Sequence, residues 1–224
     1  MILNFNAEIK QKFNNLCVGM VDISDISNEF LKPIKNLKDD IMKDILTNHT
    51  LDSLKNELTF RVNRDFFWKI GIDPTKKRPA SEALIRRILR GNKIPKINPY
   101  VDLYNLMSIK HEIAIAGFDK DRLTGDLIMQ EATAGDKFLG IGMKKPLTLN
   151  GNEIVLKDSE NLIAIYPYRD SDYSKLTKST KNIILLTCGV PEFPLKNIKD
   201  ATKDLHDTFI EYLDGVGKYK IFMT

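Results

Sequence analysis

The spacing of the apolar residues changes near residue 113, and this change constrains the fold more than any other feature. Before it, apolar residues recur every three or four positions, as on one face of a helix; residues 51–70 are the clearest example. After it, apolar and polar residues alternate in short runs, which predicts strands, and an amphipathic helix over 195–213 follows. Helices first and clustered strands later predict an α+β fold rather than an alternating parallel-sheet fold.

Two local signals refine this prediction. Pro33 lies inside a helical pattern over residues 28–46, so that helix should begin at the proline or bend there. Asn150-Gly151 separates two short alternating runs and predicts a type I′ hairpin between them.

Composition excludes several classes of protein. At 224 residues, with 42% hydrophobic and 29% charged residues, the chain can form one domain (1–224) with its own core. It has neither a signal-like start nor an apolar run long enough for a membrane span, so we expect a cytoplasmic protein. The two cysteines and three histidines show no metal-ligand spacing and no dinucleotide fingerprint is present, so we expect neither metal nor cofactor.

Basic residues are concentrated between residues 76 and 96, where Glu82 is the single acid. Such a strip is typical of a phosphate-contacting surface. The alternative is a solvated helix flank on which Glu82 and Arg86 form an i,i+4 pair. The candidate RNA-binding residues are Lys76, Lys77, Arg78, Arg86, Arg87 and Arg90.

A helix beginning after Asn98-Pro99 carries a polar stripe. Asn98 is the expected N-cap, and Asp102 and Asn105 share its face at i+4 and i+7. Buried polar groups need partners from the fold or from a ligand, so Asp102 and Asn105 are candidate cavity residues. Tyr104 is expected in the core.

Further polar candidates follow two predicted strands. Glu131 should share a strand face with apolar residues, so it either pairs with a base or has a function. Arg169 could clamp a carboxylate or phosphate, Asp172 could bind an α-amino group, and Lys175 could stabilise an oxyanion. Alternatively, Arg169, Asp170 and Asp172 pair with one another at a surface turn.

An ordered series of these motifs resembles the tRNA-editing module formed by the third and fourth domains of the phenylalanyl-tRNA synthetase beta subunit. The resemblance implies a layered fold with a central β-sandwich of unusual topology and flanking helices. It divides the chain into an N-terminal helical extension with one strand (1–58), an editing-module-like core (59–190), and a C-terminal helix and tail (191–224). The motifs are Asn98, Asp102 and Asn105; Gly117-Phe118-Asp119-Lys120-Asp121-Arg122-Leu123; Gly125; Ala132-Thr133-Ala134-Gly135-Asp136-Lys137-Phe138; Leu147-Thr148-Leu149-Asn150-Gly151; and Leu176-Thr177-Lys178-Ser179-Thr180-Lys181.

The resemblance also implies a function: hydrolysis of wrongly aminoacylated tRNA, typically tyrosyl-tRNA. Two positions depart from the family pattern, because Ala116 stands where the family has histidine and Lys175 where it has glutamate. A methyl group accepts no proton and a protonated lysine only donates, which argues against tyrosine-specific hydrolysis by the family's arrangement. The candidates are Glu131 and Lys175 for catalysis, and Asp102, Asn105, Phe118, Arg169 and Asp172 for substrate binding.

Three functional hypotheses follow. The first is an enzyme that binds tRNA or aminoacyl-tRNA and hydrolyses misacylated tRNA in trans. The second is a non-catalytic module that binds RNA or an amino-acid-like small molecule. The third is a fragment that associates with a synthetase complex. We do not expect the chain to act alone as a tRNA ligase, because no ATP site is recognisable in its sequence.

Overall fold

A computed structural model describes residues 1–224, which form six α-helices and eleven β-strands. None of the helices combines the length and apolar composition needed to cross a bilayer. The helices are α1 (Ala7–Lys12), α2 (Lys35–Asn48), α3 (Leu58–Lys69), α4 (Ala80–Leu89), α5 (Pro99–His111) and α6 (Leu195–Leu213). The strands are β1 (Leu3–Phe5), β2 (Cys17–Ser24), β3 (Ala114–Asp119), β4 (Leu127–Glu131), β5 (Lys137–Phe138), β6 (Leu147–Thr148), β7 (Ile154–Lys157), β8 (Leu162–Ile165), β9 (Arg169–Asp170), β10 (Ile183–Cys188) and β11 (Val216–Met223).

Two sheets pack face to face as a β-sandwich. One has five strands in the order β1-β4-β7-β8-β9, and the other has four in the order β11-β2-β10-β3. A shared apolar core joins them, with Leu127, Leu156 and Ile163 from the first sheet and Met20 and Leu186 from the second. β1 is parallel to β4, and the other pairings in these sheets are antiparallel. The predicted α+β class and central sandwich are therefore confirmed.

Helices α5 and α6 cover the outer face of the four-stranded sheet. Val21 and Leu185 of the sheet belong to one apolar cluster with Met107 of α5 and Phe209 of α6. Gly19 in β2 permits this close packing, because a Cβ there would overlap the side chain of Thr202 on α6. A smaller cluster joins α2 and α4 to the other side of α5 through Ile41, Ile45, Ile85, Ile88 and Leu106.

Local features account for two differences from the sequence prediction. The helical pattern over residues 51–70 divides, because residues 53–55 form a 3₁₀ turn and α3 begins at Leu58. The prediction of a hairpin at Asn150-Gly151 is wrong, because β6 pairs with β5, and β7 pairs with β4 and β8. The Glu153 carboxylate accepts hydrogen bonds from the backbone N–H groups of both Asn150 and Gly151, which stabilises a different turn.

Both ends of the described chain take part in the sheets. The first 58 residues supply two strands rather than the predicted one, since β1 pairs with β4 and β2 lies within the four-stranded sheet. The predicted helix α6 is present, but the tail after it forms β11 and pairs with β2 along eight residues. Helix α2 begins two residues after Pro33, in agreement with the first of the two predicted alternatives.

Candidate functional site

A cavity of ≈ 160 Å³ lies where the outer edge of β3 meets the ends of β8 and β9, and we call it the β3–β9 cavity. Its wall is mainly apolar, and three small residues, Ala114, Ala116 and Ala164, make part of it. Helix α5 contributes Tyr104 and Asn105, and the segment after β8 contributes Arg169 and Asp170. A mainly apolar lining with a few polar groups is typical of small-molecule sites, and this cavity is smaller than the roughly 300–1,000 Å³ usual for them.

The start of α5 fixes the two residues that reach this cavity. The Asn98 side chain caps the helix by accepting a hydrogen bond from the Val101 N–H at 3.0 Å. It also donates to the Leu176 carbonyl at 3.2 Å, which ties the helix to the segment following β9. The side chains of Tyr104 and Asn105 make no hydrogen bond with the protein, so their polar groups are available to a ligand.

Asp170 is the acidic group of the cavity. One of its carboxylate oxygens accepts a hydrogen bond from the Gly117 N–H of β3 at 3.1 Å, and no basic side chain forms an ion pair with it. Burial raises the pKa of Asp170 to about 7, and the Gly117 hydrogen bond and the charge of Arg169 oppose that rise. The carboxyl group therefore changes charge near neutral pH.

Arg169 is held at the rim of the cavity. Its Nη1 donates to the Ile141 carbonyl at 2.8 Å, and its guanidinium lies 5.2 Å from the centroid of the Tyr168 ring. Gly140 makes room for it, because a Cβ there would overlap the Arg169 side chain. The guanidinium is thus fixed by the backbone and an aromatic ring rather than by a carboxylate.

A second feature, which we call the basic groove, lies along α4 and the loop before it. Its volume is ≈ 330 Å³, and no acidic residue lines it. Arg86 is partly engaged, because its Nε donates to Glu82 at 2.8 Å, and Arg87 donates to the Lys93 carbonyl at 2.6 Å. The groove brings together five of the six predicted RNA-binding residues: Lys76, Arg78, Arg86, Arg87 and Arg90.

The basic groove and the β3–β9 cavity are connected through one segment of the chain. Lys77, the sixth predicted RNA-binding residue, places its ammonium 5.0 Å from the centroid of the Tyr168 ring. Tyr168 lines the cavity, as does Ala80 at the start of α4. Lys77 therefore lies beside a residue of the cavity wall, while its neighbours Lys76 and Arg78 line the basic groove.

Comparison with known proteins gives the family. The model of the B3/4 domain matches residues 62–206, which is more than half of the chain. The chain belongs to the B3/4 domain family. The matched range includes α5, β3, β8, β9 and the basic groove, so both candidate features lie within the B3/4 domain.

Relatives of the B3/4 domain chain include phenylalanine–tRNA ligase beta subunits. That of Pectobacterium atrosepticum is 27% identical over 108 residues, covering 48% of this chain and 14% of the relative. That of Malacoplasma penetrans is 24% identical over 163 residues, covering 68% and 20%. A solved N-terminal fragment of the phenylalanyl-tRNA synthetase beta subunit from Pyrococcus horikoshii gives a TM-score of 0.48 at 15% identity, covering 97% of this chain and 49% of that one. The chain thus spans one fifth or less of the length of these curated relatives.

The cavity of this B3/4 domain brings together three of the seven predicted catalytic and substrate-binding residues: Asn105, Phe118 and Arg169. Glu131 lies at the end of β4 and pairs with Lys12. Asp102 lines a separate groove and accepts a hydrogen bond from the Ile97 N–H at 2.7 Å.

Asp172 and Lys175 lie outside the cavity wall and pair with each other. Lys175 Nζ is 2.8 Å from Asp172 Oδ1, and both side chains are about two-fifths exposed. The alternative in which Arg169, Asp170 and Asp172 pair together is wrong, because each of them has a different partner. The physical reason is that β9 turns Asp170 inward beside β3 while Asp172 remains at the surface.

Two residues of the cavity are not among the predicted site residues. Tyr104 packs against the apolar cluster beneath α5, as predicted, and also lines the cavity. Asp170, which one of two alternatives placed at a surface turn, lines the cavity as well. Strand alternation does not identify Asp170, because all of residues 164–170 line the cavity and residues 166–168 form a turn.

A histidine with two glutamates forms the one cluster with potential metal ligands, His49, Glu57 and Glu112. The Nδ1 atom of His49 is 3.0 Å from Glu57, and its Nε2 atom is 3.2 Å from Glu112. Each ring nitrogen of His49 thus has its own carboxylate partner, and one ligand atom from each of the three residues lies within 4.8 Å of the other two. The cluster links the ends of α2 and α5 to the start of α3.

Proposed function

We propose that this B3/4 domain binds the aminoacylated end of a tRNA and hydrolyses its ester bond in trans. The aminoacyl group would occupy the β3–β9 cavity, and the RNA backbone would lie along the basic groove. The observation that carries the proposal is the connection between the two features through Lys77, Ala80 and Tyr168.

The groove supports the RNA part of the proposal. Arginine and lysine side chains neutralise phosphates, and the resulting affinity falls steeply as salt increases. Arg78 and Arg90 make no ion pair within the protein, so they remain available to bind phosphates.

The chemistry required of the cavity is modest, because an aminoacyl ester is already activated. Water would attack the carbonyl carbon, the bond to the ribose oxygen would break, and that oxygen would take up a proton. Positioning the ester and donating hydrogen bonds to the developing oxyanion are sufficient to accelerate this step. The amide of Asn105 and the guanidinium of Arg169 are the donors at the cavity.

Release of labelled amino acid from a panel of mischarged tRNAs tests the enzymatic part. We expect turnover with at least one member, and about a tenfold to hundredfold lower kcat/KM for Asn105→Ala, because an oxyanion donor is removed. Asn197→Ala, an exposed asparagine on α6, is the matched control. No release from any member of the panel would refute the hydrolase.

A non-catalytic binding module is the second candidate. It is favoured by Ala116, which lines the cavity where the family resemblance calls for histidine. Stoichiometric binding of aminoacyl-tRNA without release of the amino acid, abolished at high salt, would identify this function instead.

A further inference from the structure

The size of the β3–β9 cavity limits the group that can enter it. Its volume is ≈ 160 Å³. An apolar protein cavity of about 150 Å³ holds a benzene ring alone. An aromatic amino acid would therefore fill the space with its ring and leave none for its α-carbon and ammonium. An alanyl group, with five non-hydrogen atoms, is smaller than a benzene ring and fits within the volume.

The polar groups of the cavity match the backbone of an amino acid. Asp170 offers a carboxylate oxygen beyond the one bound by the Gly117 N–H, and no basic side chain pairs with it. Tyr104 and Asn105 offer a hydroxyl and an amide without protein partners. Asp170 is close enough to Tyr104 to raise the pKa of that phenol together with burial. A carboxylate beside two neutral hydrogen-bonding groups suits an ammonium ion.

We propose that the cavity selects the aminoacyl group of a small amino acid, of the size of alanine or serine, and binds its α-ammonium through Asp170. This proposal rests on the proposed function, because it names the substrate class of the same site. Arg169 stays at the rim, bonded to the Ile141 carbonyl, and so leaves Asp170 for the ligand.

The charge of Asp170 adds a pH dependence to this binding. Burial raises the pKa of Asp170 to about 7, so the carboxyl group is mainly neutral below that pH and attracts a cation weakly. An α-amino group loses its charge above about pH 8. The titratable groups facing Asp170 are the Arg169 guanidinium, the Tyr104 phenol of α5 and the Cys188 thiol of β10. Burial raises the pKa of both Tyr104 and Cys188, so Arg169 is the one charged neighbour near neutral pH. Affinity for the ammonium should therefore be highest between these two values.

Two measurements test the proposal. The first compares kcat/KM for hydrolysis of alanyl-, seryl-, tyrosyl- and phenylalanyl-tRNA, and we expect the small pair to exceed the aromatic pair at least tenfold. The second measures binding of L-alaninamide, L-tyrosinamide and lactamide to the protein alone. Lactamide carries a hydroxyl in place of the ammonium, and we expect it to bind at least tenfold more weakly than L-alaninamide.

Asp170→Asn keeps an oxygen for the Gly117 N–H but removes the negative charge, and we expect at least a tenfold loss of L-alaninamide affinity. Asp200→Asn, an exposed residue of α6, is the matched control. If Asp170→Asn fails to fold, the expected affinity maximum between pH 7 and 8 in the unaltered protein takes its place.

The outcomes separate this inference from the proposed function. Faster hydrolysis of tyrosyl- than of alanyl-tRNA would overturn the substrate class and leave the hydrolase intact. If no tRNA is hydrolysed, the proposed function fails, and binding of L-alaninamide that requires Asp170 would still support the small-ligand pocket. Equal affinity for lactamide and L-alaninamide, or no binding of either, would overturn the role of Asp170.

Discussion

Glu82 and Asp170 are two carboxylates withdrawn from water, and the protein treats them in opposite ways. Glu82, in the first turn of α4, is bonded by Arg64 at 3.0 Å and by Arg86 at 2.8 Å. Asp170 receives one backbone hydrogen bond and no ion pair, although Arg169 is its neighbour in sequence. The first carboxylate is matched by charges within the fold, and the second is not.

This difference separates a structural role from a ligand-binding one. A buried charge is stable when basic partners and hydrogen bonds surround it, as they surround Glu82. A carboxylate without such partners is costly to the fold, and burial raises the pKa of Asp170 to about 7 as a result. Asp170 lies in this costly state at the wall of the β3–β9 cavity, where a ligand could reach it.

Among these substitutions, Glu82→Ala is expected to lower the free energy of unfolding most. The substitution leaves Arg64 and Arg86 together without their carboxylate, and breaking a buried pair in this way costs about 3 kcal/mol or more. The free energy of unfolding in urea is the measurement. Glu211→Ala, which removes an exposed ion pair with Lys32, should change it far less, because solvent screens that pair. Equal effects of the two variants would contradict the comparison.

Asp170→Asn is expected to stabilise the folded protein, whereas Glu82→Ala destabilises it. Because the folded-state pKa of about 7 lies above the ordinary value of 3.8, ionisation of Asp170 lowers stability as the pH rises from about 4 to 7. The asparagine variant should therefore be more stable by about 1–3 kcal/mol at pH 8, after allowance for solvent screening, and nearly equal at pH 3, below the ordinary pKa of 3.8. Urea unfolding at both pH values tests this, with Asp172→Asn as the surface control. A less stable variant at pH 8 would show that the charged carboxylate supports the fold.

The surroundings of Glu82 and Asp170 also show what the sequence could and could not predict. The i,i+4 spacing of Glu82 and Arg86 predicted their ion pair, because both residues lie on one helix. Arg64 could not be assigned to that pair, since it belongs to α3 and only tertiary packing brings it close. Burial of Asp170 likewise depends on the approach of β9 to β3, whose residues are about fifty positions apart. Alternation predicted most of the longer strands and hence the fold class, whereas β11 was not predicted, because its partner β2 lies about 200 positions away in sequence.

Two arginines of the basic groove differ in the same way as the two carboxylates. Arg86 is engaged with Glu82, whereas Arg90 has no carboxylate partner, so the two should differ in their contribution to RNA binding. Arg90→Ala should weaken tRNA binding and reduce the slope of log K against log salt by about 0.7–0.9 for each phosphate that the protein no longer neutralises. Gel shift over a salt series measures this. Lys199→Ala, an exposed residue of α6, should leave the slope unchanged, and an equal reduction there would argue against a localised footprint.

The smallest loss of unfolding free energy is expected from Asp204→Asn. Asp204 is a surface carboxylate with two basic partners. Its oxygen lies 2.6 Å from both Lys110 Nζ and His111 Nε2. The hydrogen bond from His111 lowers the pKa of Asp204 to about 2, although partial burial opposes this. Since the folded-state pKa lies below 3.8, the stabilisation is present above about pH 4 and disappears as the pH falls towards 2. Asp204→Asn should cost about 1 kcal/mol at pH 6 in urea unfolding, because solvent reaches this pair, and less at pH 3. A cost as large as that of Glu82→Ala would mean that the number of basic partners, and not burial, determines how strongly a carboxylate supports this fold.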